Sequence, residues 1–314
     1  SCSTPCSRPG GAPSGRLQGV EQEGEKTMGK IVIVGSGPAG CSAALYAARA
    51  GQEVVVISMG MGALSKAELI QNYYGFEEGI TGAELYRQGV AGAQAVGAEF
   101  ITAEVVGLDY TGSLVVQTTE GDYPADAVIL ATGAGRIAPK IAGLAEHEGR
   151  GVSYCATCDA FFYRGKTAAV LGSGEYALHE VQALLPLAGK VILCTNGEPL
   201  TADFPEGVEI CTEKLAAVEG EEKVSALRLE NGELLPVEGL FVALGVAGSA
   251  ALARKLGAPV ENGRIVVDER MQTGIPGLYA AGDCTGGLLQ VCKAVYEGAL
   301  AATEAIKMLR GKKR

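Results

Sequence analysis

The chain of 314 residues has no tryptophan, only 2 histidines, and fewer basic than acidic side chains. With 26 lysines and arginines against 36 aspartates and glutamates, its net charge of −10 argues against a general nucleic-acid-binding surface. No apolar run reaches the roughly 18 residues that a membrane-spanning helix needs, so the sequence indicates a soluble protein without a membrane partner. Nine cysteines are too few for a disulfide framework in a chain of this length, so we expect a reducing, cytoplasmic location.

Residues 1–27 lack both apolar periodicity and the apolar centre of a secretory signal, and they are rich in Ser, Gly, Pro and charge. We interpret this segment as a disordered tail or an extension. The whole chain has 46 glycines and a hydrophobic fraction of 47%, which fits a packed α/β protein of about two domains. Five cysteines stand singly among apolar neighbours, which predicts buried thiols. They are Cys41, Cys194, Cys211, Cys284 and Cys292.

A glycine-rich turn follows the first apolar run. The run at 31–34 leads into Gly-Ser-Gly-Pro-Ala-Gly, and an Ala-rich helix and a second strand at 54–57 come next. In this frame Gly35 makes the tight turn, Gly37 lets the backbone approach a pyrophosphate, and Gly40 lets the helix pack on the strand. The helix N-terminus favours the anion. The predicted dinucleotide-binding residues are Gly35, Ser36, Gly37, Pro38, Ala39 and Gly40.

A second unit of the same kind occupies residues 166–198. A strand at 168–171 leads into the turn Gly-Ser-Gly-Glu-Tyr-Ala at 172–177, and a helix and a strand at 191–193 follow. Alanine is an accepted substitute for the third glycine of this motif. Two such units predict an α/β fold with two Rossmann-like, three-layer dinucleotide-binding domains.

Two further strand ends fit a flavin-binding plan. Ala131, Thr132 and Gly133 follow one apolar strand, and Gly282 and Asp283 follow another. An aspartate at a strand end beside glycine can contact the ribityl or pyrophosphate part of a flavin. Either strand end alone is an ordinary junction, but in this order, and with two glycine-rich turns, they indicate a flavoprotein.

The most reactive pattern is the pair Cys155 and Cys158 in VSYCATCDAFFYRG, residues 152–165. Such a dithiol can pass electrons to the disulfide of another protein, with a thiolate as the nucleophile. Zinc is the competing interpretation, but it needs two further ligands. The chain offers only His147 and His179 and no second C-x-x-C. We therefore expect no metal site, and we interpret both histidines as surface or helix residues.

With these motifs the chain resembles the low-molecular-weight thioredoxin reductases across nearly all of residues 28–314. The resemblance implies a homodimer with an FAD-binding domain, residues 28–140 and 247–314. An inserted NAD(P)-binding-like domain, residues 141–246, would carry the dithiol. The matching segments are GSGPAG (35–40), ATGA (131–134), GRGVSYCATCDAFFYRGK (149–166), GLFVALGV (239–246) and GIPGLYAAGD (274–283).

The resemblance also implies roles for individual residues. Electrons would pass from FAD to the Cys155–Cys158 disulfide, with Cys158 facing the flavin and Cys155 attacking thioredoxin. Asp159 matches the acid that handles protons in the family. Asn72 matches an asparagine close to the flavin ring, and Gln290 matches a glutamine at the start of the last helix.

The inserted domain departs from the family where NADPH would bind. NADPH-dependent members carry a basic cluster after the second strand of this domain, because the 2′-phosphate is a dianion that needs cationic donors. This chain has no arginine or lysine from Val191 through Asp203, and Glu198 would repel a phosphate. Cys194 and Thr195 supply no acid for the ribose of NADH. The sequence therefore argues against a functional NADPH site.

These departures are similar to those of a smaller group of flavin thioredoxin reductases that use reduced ferredoxin, so ferredoxin is the electron donor we expect. The first alternative is an NADPH- or NADH-dependent thioredoxin reductase with an atypical nucleotide site. The second is other flavin disulfide chemistry, or a flavin redox sensor without turnover. An acidic enzyme needs a local basic patch to dock an acidic ferredoxin. The candidates for it are Arg136, Lys140, Lys307, Arg310, Lys312, Lys313 and Arg314.

Overall fold

The computed structural model describes residues 29–134, 140–245 and 248–311 of the chain. The predicted tail, residues 1–27, lies outside the described residues. The helices are α1 (Pro38–Arg49), α2 (Gly82–Gln94), α3 (Ala156–Asp159), α4 (Glu175–Leu184), α5 (Ser249–Lys255) and α6 (Val291–Gly311). The strands are β1 (Lys30–Val34), β2 (Glu53–Ser58), β3 (Glu99–Thr102), β4 (Val105–Tyr110), β5 (Leu114–Thr118), β6 (Gly121–Ala125), β7 (Ala127–Leu130), β8 (Val152–Ser153), β9 (Thr167–Leu171), β10 (Lys190–Cys194), β11 (Glu209–Cys211), β12 (Leu215–Glu219), β13 (Ala226–Leu229), β14 (Leu234–Pro236), β15 (Gly239–Val242), β16 (Val260–Glu261), β17 (Arg264–Ile265) and β18 (Leu278–Ala280).

The first large sheet is parallel and has the strand order β18-β7-β1-β2-β3. Its central strands are apolar runs without polar alternation, as expected for strands that are covered on both faces. Val34 pairs with Leu130 and Leu130 pairs with Ala280, so these three strands end side by side. The segments that follow them therefore meet at one edge of the sheet, where ligands bind in open parallel sheets.

Helices α1 and α6 pack closely against each other on this sheet. Proline at the start of α1 fits the first helical turn, where no backbone N–H is needed, and small buried side chains follow it. On α6, a Cβ at Gly298 would lie 2.0 Å from the carbonyl oxygen of Ala39. Only glycine allows the two helices to approach so closely.

The second large sheet is also parallel, with the order β11-β10-β9-β15-β8, and α4 connects β9 to β10. Two three-stranded antiparallel sheets, β4-β5-β6 and β12-β13-β14, complete the layers together with the pair β16-β17. The predicted α/β fold with two Rossmann-like sheets is confirmed. The first sheet takes strands from both sides of residues 141–246, whereas the second lies within them, and the domain boundaries themselves stay a prediction.

The two large sheets share one apolar cluster. It includes Val32 and Val128 of the first sheet, Ala168 and Val170 of the second, and Leu252 of α5. The two halves of the molecule are therefore joined by continuous hydrophobic packing. Within the described residues, none of the helices combines the length and apolarity that a membrane span requires.

The structure tests the prediction that the single cysteines are buried. Cys41, Cys194 and Cys284 are buried, and Cys211 is half-buried. Cys292 is exposed, so the prediction was wrong there. This cysteine occupies the second position of α6, at the start of the helix.

Candidate active site

A cavity of about 340 Å³ opens at the edge of the first sheet where β1, β7 and β18 end. The predicted cofactor residues on its wall are Gly35, Ser36, Gly37, Pro38, Ala39, Asn72, Ala131, Thr132, Gly133, Gly282, Asp283 and Gln290. Gly40 does not line it. A Cβ at Gly40 would lie 1.8 Å from the carbonyl oxygen of Gly35, so Gly40 allows the tight turn and helix packing rather than ligand contact.

The wall at Gly37 fits the pyrophosphate of a dinucleotide. Gly37 is the N-cap of α1, so the first backbone N–H groups of the helix face the cavity. A Cβ at this position would meet no protein atom within 4 Å, so the glycine leaves open space beside the helix N-terminus. The residues present therefore fit FAD on the donor geometry of a helix N-terminus and on open space beside it.

Strand β2 ends at Ser58, so it lacks the acid that often follows this strand and binds the ribose of a dinucleotide. The Ser36 and Ser58 hydroxyls lie 2.6 Å apart, and the Tyr86 hydroxyl is 3.0 Å from Ser36. These uncharged groups take the place of the carboxylate that often follows this strand. Hydroxyls that donate and accept can still contact the sugar part of a ligand.

Asn72 and Gln290, predicted from separate parts of the sequence, come together on the cavity wall. The Asn72 side-chain amide donates to Gln290 Oε1 at 2.9 Å. This bond joins the loop after β2 to the residue that precedes α6. The two side chains therefore act as one polar contact at this end of the cavity.

The Gly282–Asp283 turn is held by two side chains that the sequence reasoning missed. Glu297 Oε2 accepts the Gly282 N–H at 2.8 Å, and Lys293 Nζ donates to the Gly282 carbonyl at 2.8 Å. Lys293 and Glu297 also pair with each other at 3.0 Å, one turn apart on α6. Such a spacing is typical of a surface ion pair, so the sequence offered no signal that this pair is largely buried beside the cavity.

The predicted dithiol is a disulfide between Cys155 and Cys158, whose Cα atoms lie 5.4 Å apart. Cys155 is the N-cap of α3, and its sulfur accepts the Cys158 N–H at 3.1 Å. Cys155 is buried, with 3% of its surface exposed, and Cys158 is exposed. The residue predicted to attack thioredoxin is thus the less accessible of the two in this orientation.

Asp159 is tied to the same segment through Ser153, a residue that the sequence reasoning missed. Ser153 Oγ donates to Asp159 Oδ2 at 2.7 Å and accepts the Cys155 N–H at 3.1 Å. The carboxylate is therefore linked by one hydroxyl to the backbone of the buried cysteine. The hydroxyl thus fixes the carboxylate within the segment that carries the disulfide.

Helix α5 connects the cavity to the disulfide. At its first residue, Ser249 Oγ lies 2.6 Å from Thr132 Oγ1 on the cavity wall. At its last turn, Cys158 Sγ lies 3.9 Å and 3.8 Å from the carbonyl oxygens of Arg254 and Lys255. A helix of this length rises about 10 Å, so α5 spans about that distance between its contact with the cavity wall and its contact with the disulfide.

The second glycine-rich turn does not form a comparable cradle. A Cβ at Gly174 would lie 2.9 Å from Thr201 Oγ1, and the Thr201 N–H donates to the Ser173 carbonyl at 2.8 Å. The space beside Gly174 is thus taken by the protein itself. Tyr176 of the same motif is buried, and its hydroxyl donates to the Tyr154 carbonyl at 2.9 Å.

The remaining predictions concern histidines and basic residues. His147 was predicted to be a surface or helix residue, but it is buried, and its ring nitrogens contact the carbonyls of Gly143 and Gly220. Among the described residues, no cluster of three or more His, Cys, Asp or Glu side chains could hold a metal. Lys140, Lys307 and Arg310 are exposed, and Lys307 is paired with Glu304. The other basic candidates, Arg136, Lys312, Lys313 and Arg314, lie outside the described residues.

Comparison with known proteins gives consistent matches over most of the chain. Residues 29–298 match the model of the pyridine nucleotide-disulphide oxidoreductases. The thioredoxin reductase of Aquifex aeolicus is 35% identical over 308 residues, covering 90% of this chain and 94% of that protein.

Two crystal structures are similar as well. The atypical thioredoxin reductase TRi from Desulfovibrio vulgaris Hildenborough superposes with a TM-score of 0.85 at 39% identity, covering 91% of this chain and 99% of that one. A ferredoxin-flavin thioredoxin reductase from Clostridium acetobutylicum superposes with a TM-score of 0.69 at 35% identity, covering 90% of this chain and 99% of that one. The chain therefore belongs to the pyridine nucleotide-disulphide oxidoreductase family, as a homologue of the thioredoxin reductases, flavin enzymes that act on a disulfide.

Proposed function

We propose that this protein is a thioredoxin-disulfide reductase that takes its electrons from reduced ferredoxin instead of NADPH. Electrons would enter at the cavity of the first sheet and leave through the Cys155–Cys158 pair to thioredoxin. When bound, FAD supplies the pairing of single electrons into the two-electron reduction of a disulfide. The other steps follow from the residues of this chain.

The observation that carries the choice of donor is the difference between the two glycine-rich turns. At Gly37 a Cβ would meet no protein atom within 4 Å, whereas at Gly174 it would lie 2.9 Å from Thr201 Oγ1. A pyrophosphate approaches the backbone at this glycine in dinucleotide-binding domains. The first turn has room for that approach, and the second is closed by a side chain.

The end of β10 argues in the same direction. Cys194 ends this strand and Thr195 follows it, where a nucleotide ribose would lie, and both are almost completely buried. Neither carries charge at neutral pH, and burial raises the pKa of the Cys194 thiol. Neither residue can therefore bind a ribose or a 2′-phosphate by an ionic contact.

The dithiol segment would carry out the second half of the reaction. Reduction of the disulfide breaks one S–S bond and takes up two electrons and two protons, which leaves Cys155 and Cys158 as thiols. We assign the proton handling to Asp159 through the Ser153 hydroxyl. Attack of one thiolate on the thioredoxin disulfide, followed by attack of the second on the mixed disulfide, returns the starting state.

One observation favours an atypical NADPH-dependent reductase as the second candidate. The aliphatic stem of Lys214 lies against Gly197 in the loop after β10, so that a Cβ there would be 3.2 Å from Lys214 Cε. Lys214 lies beyond residues 191–203, the segment in which the sequence places no lysine or arginine. A lysine at that place could bind a 2′-phosphate.

We also propose that the protein works as a homodimer in a reducing cytosol. Tyr46 on α1 and Tyr296 on α6 are 51% and 64% exposed, and large exposed aromatic side chains are enriched at interfaces. The buried free thiols of Cys41, Cys194 and Cys284 suit a reducing compartment.

The donor proposal is tested by anaerobic mixing of the purified flavoprotein with excess NADPH, NADH or reduced ferredoxin. We expect the visible flavin absorbance to persist for minutes with both nucleotides and to bleach with ferredoxin. Bleaching by NADPH within seconds would contradict the proposal. In that case Lys214→Met, compared with the exposed control Lys223→Met, decides whether the lysine beside Gly197 binds the phosphate.

A further inference from the structure

The segment that carries the disulfide is held against helix α5 in an orientation that hides one of its two sulfurs. Cys155 is 3% exposed, and Cys158 lies against the last turn of α5. The resemblance to the thioredoxin reductases gives Cys155 the attack on a protein disulfide. A folded partner cannot reach a sulfur with this exposure, so this contact must open during turnover.

A buried ion pair crosses the same contact. Lys255 Nζ, at the end of α5, lies 2.6 Å from Glu180 Oε1 on α4, and each side chain is 1% exposed. The second carboxylate oxygen, Glu180 Oε2, accepts the N–H of Ala156, the residue next to Cys155. Lys255 thus belongs to one half of the molecule, and Glu180 ties it to the backbone of the dithiol in the other.

The remaining contacts of Lys255 complete its environment. Its Nζ also lies 3.3 Å from the carbonyl oxygen of Val106 and 3.3 Å from His179 Nδ1. The same ammonium sits 5.6 Å from the centre of the Tyr176 ring. The Glu180 carboxylate and the Val106 carbonyl therefore both accept from the ammonium when the two halves are in contact.

The surroundings of this pair are apolar, which makes each charge dependent on the other. Tyr176 and Val181 of α4 and Leu252 and Ala253 of α5 belong to one buried cluster. Burial alone would raise the pKa of Glu180, but hydrogen bonds from His179, Lys255 and Ala156 outweigh it and lower the pKa. Removing one partner of such a pair leaves an uncompensated charge in a buried region, whereas removing both does not.

We propose that Lys255 and Glu180 form a lock: neither charge can stay in this contact without the other, so the orientation that hides Cys155 opens only when both charges reach water together. The ion pair adds little to the stability of the contact, because separation of the two halves hydrates both charges at once. It instead makes the contact depend on the presence of both charges. Glu180 is in addition a positioning residue for α3. Only the statement that this contact opens during turnover rests on the proposed function of Cys155.

The test measures the accessibility of Cys155 in the full-length protein. The protein is reduced with a phosphine, pulsed with iodoacetamide, and the labelling rate of each cysteine is read by peptide mass spectrometry. Lys255→Met and Glu180→Gln, each of which leaves one buried charge unpaired, are expected to raise the Cys155 rate at least about tenfold. The double variant, with no unpaired charge, is expected to return to within about twofold of the original rate.

Three controls make the result specific. Cys194 and Cys284 are buried in different halves of the molecule, and their labelling stays slow as long as each half remains folded. Arg87→Met and Glu84→Gln alter an exposed pair of the same 2.6 Å separation on α2 and are expected to leave Cys155 unchanged. The assay contains neither thioredoxin nor an electron donor, so a failure of the proposed function would leave its outcome unaffected.

Each of the other outcomes overturns the lock. Unchanged Cys155 labelling in both single variants would mean that the pair does not control the orientation. Changes of opposite sign would reveal a direct electrostatic effect on the thiols, because one substitution removes a cation and the other an anion. Faster labelling of Cys194 and Cys284 as well would mean that the pair stabilises the fold and not the orientation.

Discussion

Replacement of Cys158 by serine is expected to abolish thioredoxin reduction while FAD remains bound. A serine cannot form the disulfide with Cys155, so no pair remains to accept two electrons and pass them on. The loss should be at least about a thousandfold, the scale on which removal of an essential nucleophile is felt. Turnover is measured with reduced ferredoxin as donor and thioredoxin as acceptor, and flavin content is read from the visible spectrum.

The matched control for this variant is Cys292→Ser. Cys292 is an exposed free cysteine on α6, so its replacement removes one reactive thiol without touching the disulfide. We expect full activity from it. Normal turnover by Cys158→Ser would contradict the dithiol relay, and equal losses in both variants would indicate general thiol damage instead.

The second large effect is expected from Gly37→Val, which should yield a folded protein that binds FAD at least about a hundredfold more weakly. The backbone φ of Gly37 is −67°, which valine can adopt, and its added atoms would occupy the open space at the start of α1. That space is where a pyrophosphate approaches the helix N-terminus, and a displaced charge-assisted contact of this kind costs about 3 kcal/mol or more. Affinity is measured by titrating apoprotein with FAD and following fluorescence quenching.

Gly92→Val is the control for that substitution. Gly92 lies on the exposed side of α2, and a Cβ there also meets no protein atom within 4 Å. Both variants should show the circular dichroism of the original protein, and only Gly37→Val should lose the flavin. Tight binding of FAD by Gly37→Val would show that the cavity beside β1 does not hold the pyrophosphate.

The parts of the fold and site that the sequence predicted are those encoded over short distances. The turn at Gly37 is encoded by a few glycines that the backbone needs for steric reasons. The dithiol is encoded by two reactive cysteines three positions apart. The meeting of three strand ends at one cavity follows from parallel pairing, because the carboxyl ends of neighbouring parallel strands share an edge. Asn72 and Gln290 were predicted one by one, but their hydrogen bond to each other was not.

The parts that the sequence could not predict depend on packing between distant elements. Lys255 and Glu180 are 75 residues apart, and nothing in either helix alone marks a lysine or a glutamate for burial. Thr201 closes the second turn from a loop with no regular pattern, and Lys214 reaches Gly197 from another strand connection. Lys293 and Glu297 have the spacing of a solvent-exposed pair. Only the tertiary structure shows that they hold the backbone of Gly282 beside the cavity.

The pairing of β18 with β7 has a consequence for how the protein is made. Leu278 must find Val128 after everything between them has been synthesised, and the cavity wall also needs Gly282, Asp283 and Gln290. The second sheet, by contrast, is complete once Val242 has left the ribosome. Long-range pairing is slow and loop closure costs entropy. We therefore expect the part with the second sheet to fold first during translation. Its folding then brings together the two chain segments that form the first sheet. The cofactor can then bind only to a finished chain, so flavin supply would act on assembly at its last step.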